Sequence, residues 1–208
     1  MRILVTNDDG INSLGLRALI KSLQDLGDIT VVAPDREQSG VGASFTLHQP
    51  VRLKKIHSRG IQKYTVNGTP GDAVIIAMNH ISKDTPFDCV VSGINQGTNL
   101  GTDVFLSGTV GAAMHGHLRG IPSVAISMPL RKRLKWATGA AVARKIVGEI
   151  SSQQQNYQSI LLNVTVPNIA LEKLEGVDIT NLRPSSSQLE VTSGNDGRSD
   201  YYWISVKK

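Results

Sequence analysis

Two adjacent carboxylates, Asp8 and Asp9, follow a short apolar run and precede a glycine in Asn7-Asp8-Asp9-Gly10. Side by side at the mouth of a strand they repel each other, and a cation beside them relieves that cost. Hard divalent ions such as Mg2+ or Mn2+ take oxygen ligands, commonly one or two carboxylates completed by water and substrate phosphate. A plain Asp-Gly turn is the competing reading, although a hairpin is disfavoured because the residues that follow have helical spacing. A second loop, Pro34-Asp-Arg-Glu-Gln-Ser-Gly40, puts Arg36 and Ser39 within reach of a phosphate or a metal, and reads equally as a polar surface loop. The third, Ser92-Gly-Ile-Asn-Gln-Gly-Thr-Asn-Leu-Gly101, leads through Thr102 and Asp103 to Ser107-Gly108-Thr109 and into a helix. Small residues allow close approach of the backbone to an anion, and the first N–H groups of a helix have no partner within it. A phosphate there is held by those N–H groups and by the positive end of the helix dipole. The plainer alternative makes Thr109 a simple N-cap, while Asn95 and Asn99 add neutral oxygens or amide donors.

Sharper alternatives fail on their spacing. Gly10-Ile-Asn-Ser-Leu-Gly15 has P-loop glycines but continues Leu16-Arg17 where Lys and Ser/Thr are required. No G-x-G-x-x-G follows the first strand and no G-x-S-x-G elbow is present, which argues against a dinucleotide cofactor and an acyl-transfer serine. Cys89 lies in an apolar run, where a thiol is inert. His115 and His117, two apart on a helix, do not share a face.

The elements that would position these loops follow from hydrophobic periodicity. Residues 3–5, 29–33, 87–91 and 123–127 are apolar or β-branched runs, as expected of parallel strands buried on both faces. Leu16, Leu19, Leu23 and Leu26 recur at helical spacing, and 110–118 reads as a second helix. Thr69-Pro70-Gly71-Asp72 opens another, with Thr69 as N-cap and Pro70 at the first position. Strands alternating with helices imply an α/β fold with a mostly parallel sheet, whose ligands bind beyond the carboxyl ends of the strands. Residues 44–56 and 61–66 read as a β excursion from that pattern. After about residue 155 the character changes, with strand-like runs at 160–166, 177–182, 189–192 and 201–206 and a turn at Asn195-Asp-Gly197. The expected division is therefore a catalytic core over 1–155 and a β-rich extension over 156–208.

The chain has 208 residues, 22 of them Lys or Arg and 17 Asp or Glu, which leaves a net charge of +5 and the length of one domain. At 40% hydrophobic and 19% charged it has the composition of a folded globular protein, not of a disordered one. Aromatic residues make up only 4%, too few for a single-strand stacking platform, so nucleic acid is not the expected partner despite small basic clusters such as 131–135. No run approaches a membrane span, and the opening residues acquire carboxylates at once, unlike a secretory signal. A single cysteine excludes an intrachain disulfide and fits a reducing cytoplasm.

Taken together and in order, Met1-Arg-Ile-Leu-Val-Thr-Asn-Asp-Asp-Gly10, Val32-Ala-Pro-Asp-Arg-Glu-Gln-Ser-Gly40, Gly68-Thr-Pro-Gly-Asp72, the Ser92 to Gly101 loop and Ser107-Gly-Thr-Val-Gly-Ala-Ala113 resemble the SurE family of metal-dependent nucleotidases. The resemblance covers residues 1 to about 130 and implies a Rossmann-like core with a C-terminal β extension that serves oligomerisation. It implies one divalent metal ion per subunit, Mg2+ or Mn2+, held by Asp8, Asp9, Ser39 and Asn95. It further implies phosphate contacts from Ser39, Gly40, Asn95, Ser107, Gly108 and Thr109, with Asp8, Asp9 and Asn95 in the catalytic centre. The implied activity is phosphomonoester hydrolysis on nucleoside 5'-monophosphates, with 3'-monophosphates and short polyphosphate as further substrates, by a cytoplasmic homodimer or homotetramer. A non-catalytic nucleotide- or phosphate-binding module of the same fold is the alternative. Ala43, Leu106 and His115 stand where many relatives have histidine, tyrosine and glutamate.

Overall fold

A computed structural model describes residues 1–58, 60–153, 160–184 and 189–206. Seven strands form one sheet in the order β3-β4-β2-β1-β5-β6-β7. They are β1 (Arg2–Thr6), β2 (Asp28–Pro34), β3 (Leu53–Ile56), β4 (Gln62–Val66), β5 (Cys89–Gln96), β6 (Ser123–Met128) and β7 (Leu161–Thr165). All neighbours pair parallel except β3 with β4. Helices α1 (Leu14–Leu23), α2 (Pro70–Ile76), α3 (Gly108–His117) and α4 (Trp136–Ser152) cover the two faces, which makes the Rossmann-like α/β arrangement expected from the sequence.

The central strands are buried almost end to end, as covering by helices on both faces demands. One core layer packs Leu16, Leu19 and Leu23 of α1 and Ala143, Val147 and Ile150 of α4 against Ile3, Val5, Val91 and Ile126. The other packs Ala73 and Val74 of α2 and Ala112 of α3 against Leu4, Val32 and Val90. Each fully buried Leu or Ile contributes roughly 1.5–3 kcal/mol relative to an exposed one, so these layers fix where the loops emerge. Gly15 shows how closely α1 approaches: a Cβ there would run into the Ile94 carbonyl of β5 and lie 2.9 Å from the Trp136 ring. Gly15→Ala is expected to push α1 off the sheet and cost about 1–3 kcal/mol. Thermal unfolding reads this as a Tm lowered by roughly 2–10 °C.

Several elements differ from the sequence reading. Residues 61–66 do not leave the pattern: β4 pairs parallel with β2 inside the main sheet, with β3 antiparallel at its edge. The stretch 44–52 is not a strand, because its polar groups are used elsewhere. Thr46 N–H and Oγ1–H both donate to the Asp72 carboxylate, at 2.8 and 2.7 Å, and Pro50 has no N–H to give. Asp72 in turn closes a capping box with Thr69 at the start of α2. β5 runs on through Gln96, past a register shift between Ser92 and Asn95, so Asn95 belongs to a strand and not to a loop. β7 is the seventh strand of the main sheet, although its residues fall beyond 155. Residues 177–182 form no strand, whereas β8 (Leu189–Asn195) and β9 (Asp200–Val206) form an antiparallel hairpin about the turn at Gly197. Helix α4 is an element the sequence reading does not include; it starts without a side-chain cap at Lys135, while Ala140, Ala143, Val147 and Ile150 recur along it at helical spacing.

Candidate functional site

The sheet order reverses between β1 and β5: the chain moves from β1 outward to β2 and β4, then returns to the other side of β1. Loops leaving the carboxyl ends of strands diverge at such a point and open a crevice. The first contributor is the turn after β1. Asn7 is buried, and its Nδ2 donates to Gly10 O at 3.0 Å and to Ser13 Oγ at 2.8 Å, while Ser13 caps α1 by accepting from Leu16 N–H. Asn7 thus ties the Asp8-Asp9-Gly10 turn to the start of α1. Gly10 has φ +92°, and a Cβ there would lie 3.1 Å from the Arg36 backbone, so the turn requires glycine on both counts.

Asp8 is only 4% exposed. Thr109 Oγ1–H donates to its Oδ1 at 2.6 Å. Burial raises the Asp8 pKa, hydrogen bonding led by the Thr109 hydroxyl opposes that, and the Glu37 charge adds to it. Asp9 is half-buried, and its pKa is pushed up to about 6, first by burial and then by the Asp8 charge; the Gln96 N–H works the other way. Among the described residues no Lys, Arg or His pairs with either carboxylate.

The other expected site residues gather around this pair at different depths. Ser107, not Thr109, is the N-cap of α3, its Oγ accepting from Val110 N–H at 3.1 Å. Gly108 lies directly over Asp8, since a Cβ there would come 2.8 Å from the Asp8 Cβ. The positive end of α3 therefore faces Asp8, and Thr109 spends its hydroxyl on that carboxylate. Asn95 is half-buried at the end of β5, with Nδ2 donating to Gly97 O at 2.8 Å, which leaves its Oδ1 as the spare acceptor. Ser39 and Gly40 lie at the exposed rim, on a loop tied down by Gln38 N–H donating to Asp8 O at 2.8 Å. Ser39 Oγ–H donates to Glu37 Oε1 at 2.7 Å. Two contributors carried no role in the sequence reading: Asn7, which anchors the turn, and Glu37, whose charge bears on both aspartates. Asn99 is buried, its backbone carbonyl accepting from Asn163 Nδ2.

The donor set fits a hard cation. Two desolvated carboxylates without a counter-charge follow β1, the neighbouring strand β5 ends with an asparagine whose amide oxygen is spare, and a serine hydroxyl lies at the rim. Among the described residues no three His, Cys, Asp or Glu side chains come together as a metal-binding group, so neutral oxygens, water and ligand would complete the shell. Elsewhere the expected inert groups are inert: Cys89 is fully buried and its thiol is pushed up to about 12. His115 is buried against the Ala43 carbonyl, with Nε2 at 2.9 Å. No helix among the described residues is long and apolar enough to cross a membrane.

Residues 3–188 match the family model described as survival protein SurE. The chain is 45% identical to the 5'-nucleotidase SurE of Dehalococcoides mccartyi, over 98% of this chain and 78% of that protein. It is 43% identical to the protein of the same name from Myxococcus xanthus, over 98% and 76%. The crystal structure of the SurE protein from Aquifex aeolicus superposes with a TM-score of 0.82 at 36% identity, covering 100% of this chain and 83% of that one.

Proposed function

The chain belongs to the SurE survival-protein family, and from that premise we propose that it is a metal-dependent 5'-nucleotidase hydrolysing nucleoside monophosphates to nucleoside and phosphate. The observation that carries this reading is the uncompensated Asp8–Asp9 pair beneath the N-terminus of α3. A module that only bound phosphate would be weakened by two carboxylates without a counter-charge beside the anion, so they argue for a cation and for chemistry.

Asp8, Asp9, Asn95 and Ser39 are the residues that would hold Mg2+ or Mn2+, one ion per subunit. When bound, the ion supplies Lewis-acid charge at the phosphoryl group. The α3 N-terminus, with Ser107 and the Gly108 backbone, offsets charge on the equatorial oxygens during transfer, and Gly40 leaves room at the rim. Thr109 holds Asp8 in one orientation, so that positioning precedes reaction. Asp9, less buried and less fully hydrogen-bonded than Asp8, is the better placed to accept the proton of the attacking water. Nucleoside 3'-monophosphates and short polyphosphate offer the same terminal phosphoryl group and fall within this reading. The exposed Val191, Tyr202, Trp203 and Ile204 of the β8–β9 hairpin support assembly into a homodimer or homotetramer through the C-terminal extension. The single buried thiol fits a cytoplasmic setting.

Phosphate release from nucleoside 5'-monophosphates with added Mg2+ or Mn2+ tests the proposal. Chelation is expected to abolish release and re-addition to restore it. A metal present at a hundredfold its Kd stabilises the fold by about 2.7 kcal/mol, readable as a Tm rise in the same samples. Equal activity before and after chelation would overturn metal dependence.

A further inference from the structure

Two loops at the start of α3 hold apolar side chains out into solvent. On one, Phe105 is 67% and Leu106 54% exposed; on the other, Phe45 and Leu47 are exposed. The loops are fastened to each other, with Gly42 N–H donating to Leu106 O at 2.9 Å, so these chains stand on a fixed frame. Gly42 takes φ +58°, and a Cβ there would lie 2.7 Å from Phe105 O, which marks how tightly the frame is closed. Phe105 ends the 3₁₀ turn Gly101–Phe105, two residues before the Ser107 cap of α3.

The three phenylalanines of the chain are not equivalent. Phe87 is buried beneath the Arg2 guanidinium, and Phe45 stands edge-on to the His115 ring at 5.9 Å. Among the described residues Phe105 has no ring partner and is the most exposed of the three. The N-terminus of α3, which favours an anion, thus has an unpartnered aromatic side chain two residues before its cap. The ligand that matches both is anionic at one end and flat and apolar at the other.

Resting on the nucleotidase reading, we propose that Phe105, flanked by Leu106, is the platform on which the substrate's base stacks while its phosphate lies at the N-terminus of α3. Every nucleobase presents a π face, so such a platform selects for a base without selecting which one. It favours purines over pyrimidines only through their larger stacking area.

The test compares adenosine 5'-monophosphate with ribose 5-phosphate, which keeps the scissile phosphate and lacks the base. For Phe105→Ala the ratio of kcat/KM, nucleotide over ribose 5-phosphate, is expected to fall about tenfold through KM, and Phe105→Tyr to restore it. The residue is exposed, so both variants should keep the wild-type Tm. An unchanged ratio, whether both substrates lose activity equally or neither does, overturns the platform. An unchanged ratio with an altered oligomer mass overturns it too and makes Phe105 a contact between copies. If metal-loaded wild-type protein releases phosphate from neither substrate, the nucleotidase reading fails and the platform with it. Activity on both with an unmoved ratio fails the platform alone.

Discussion

Asp8→Asn is expected to lower kcat/KM for nucleoside monophosphates by roughly a thousandfold, about 4 kcal/mol of transition-state stabilisation. The fold should survive, because the carboxamide keeps an oxygen for the Thr109 hydroxyl and the size of the side chain is unchanged. What is lost is the negative charge that holds a cation at the foot of α3. A nearby neutral oxygen such as that of Asn95 cannot replace it, since hard divalent ions at such sites rely on carboxylate charge. Thr109→Val separates orientation from charge. It removes the 2.6 Å hydrogen bond to Asp8 at nearly constant shape, and groups that orient a metal ligand are typically worth 10–100-fold in affinity or activity. The expected order is therefore wild type, then Thr109→Val, then Asp8→Asn, in both phosphate release and the metal-induced Tm rise. A folded Asp8→Asn protein with wild-type turnover would remove Asp8 from the site.

How much of this could be read from the sequence depends on the range of the interaction involved. β1, β2 and β6 are legible because burial on both faces leaves continuous apolar runs, and the start of α2 because its capping box is local. β4 is not legible as a member of the main sheet: Gln62 to Val66 alternates in the same way whether it pairs beside β2 or in a separate excursion. Helix α4 begins without a side-chain cap after a basic stretch, but its core residues Ala140, Ala143, Val147 and Ile150 recur at the same helical spacing as the leucines of α1, so its body is legible in the sequence even though its start is not. In the site, adjacency makes Asp8 and Asp9 visible at once. Thr109 looks like an N-cap from its neighbours, and only the fold brings it to Asp8, 101 residues away. Glu37 sits in a polar loop whose charge acquires meaning only when Gln38 is found bonded to the Asp8 backbone.

Asp9→Asn should move activity and stability in opposite directions. Phosphate release is expected to fall a hundredfold or more, in the range lost with a general base. The metal-free protein, by contrast, should gain stability at pH 8. The sign follows from linkage: the folded-state pKa of Asp9 is about 6 against an ordinary value of 3.8, so the folded state takes up its proton first. The stability contributed by that proton is fully present below about pH 4 and is lost as the pH rises through about 6. Wild-type protein without metal therefore carries the cost of an ionised, half-buried carboxylate at pH 8, while a neutral asparagine does not. Allowing for the partial exposure of the group, the gain is about 1–2 kcal/mol, and it should shrink toward zero as both proteins are measured nearer pH 4. Adding Mg2+ or Mn2+ reverses the comparison, because the ion stabilises the wild type and has lost a ligand in the variant. Thermal melts of the two proteins with chelator at pH 4.5 and 8, and with metal at pH 8, should show in turn a small difference, a more stable variant and a more stable wild type. Equal melting temperatures at pH 8 with chelator would mean that Asp9 already has a counter-charge there, and the case for a cation at this pair would lose its main support.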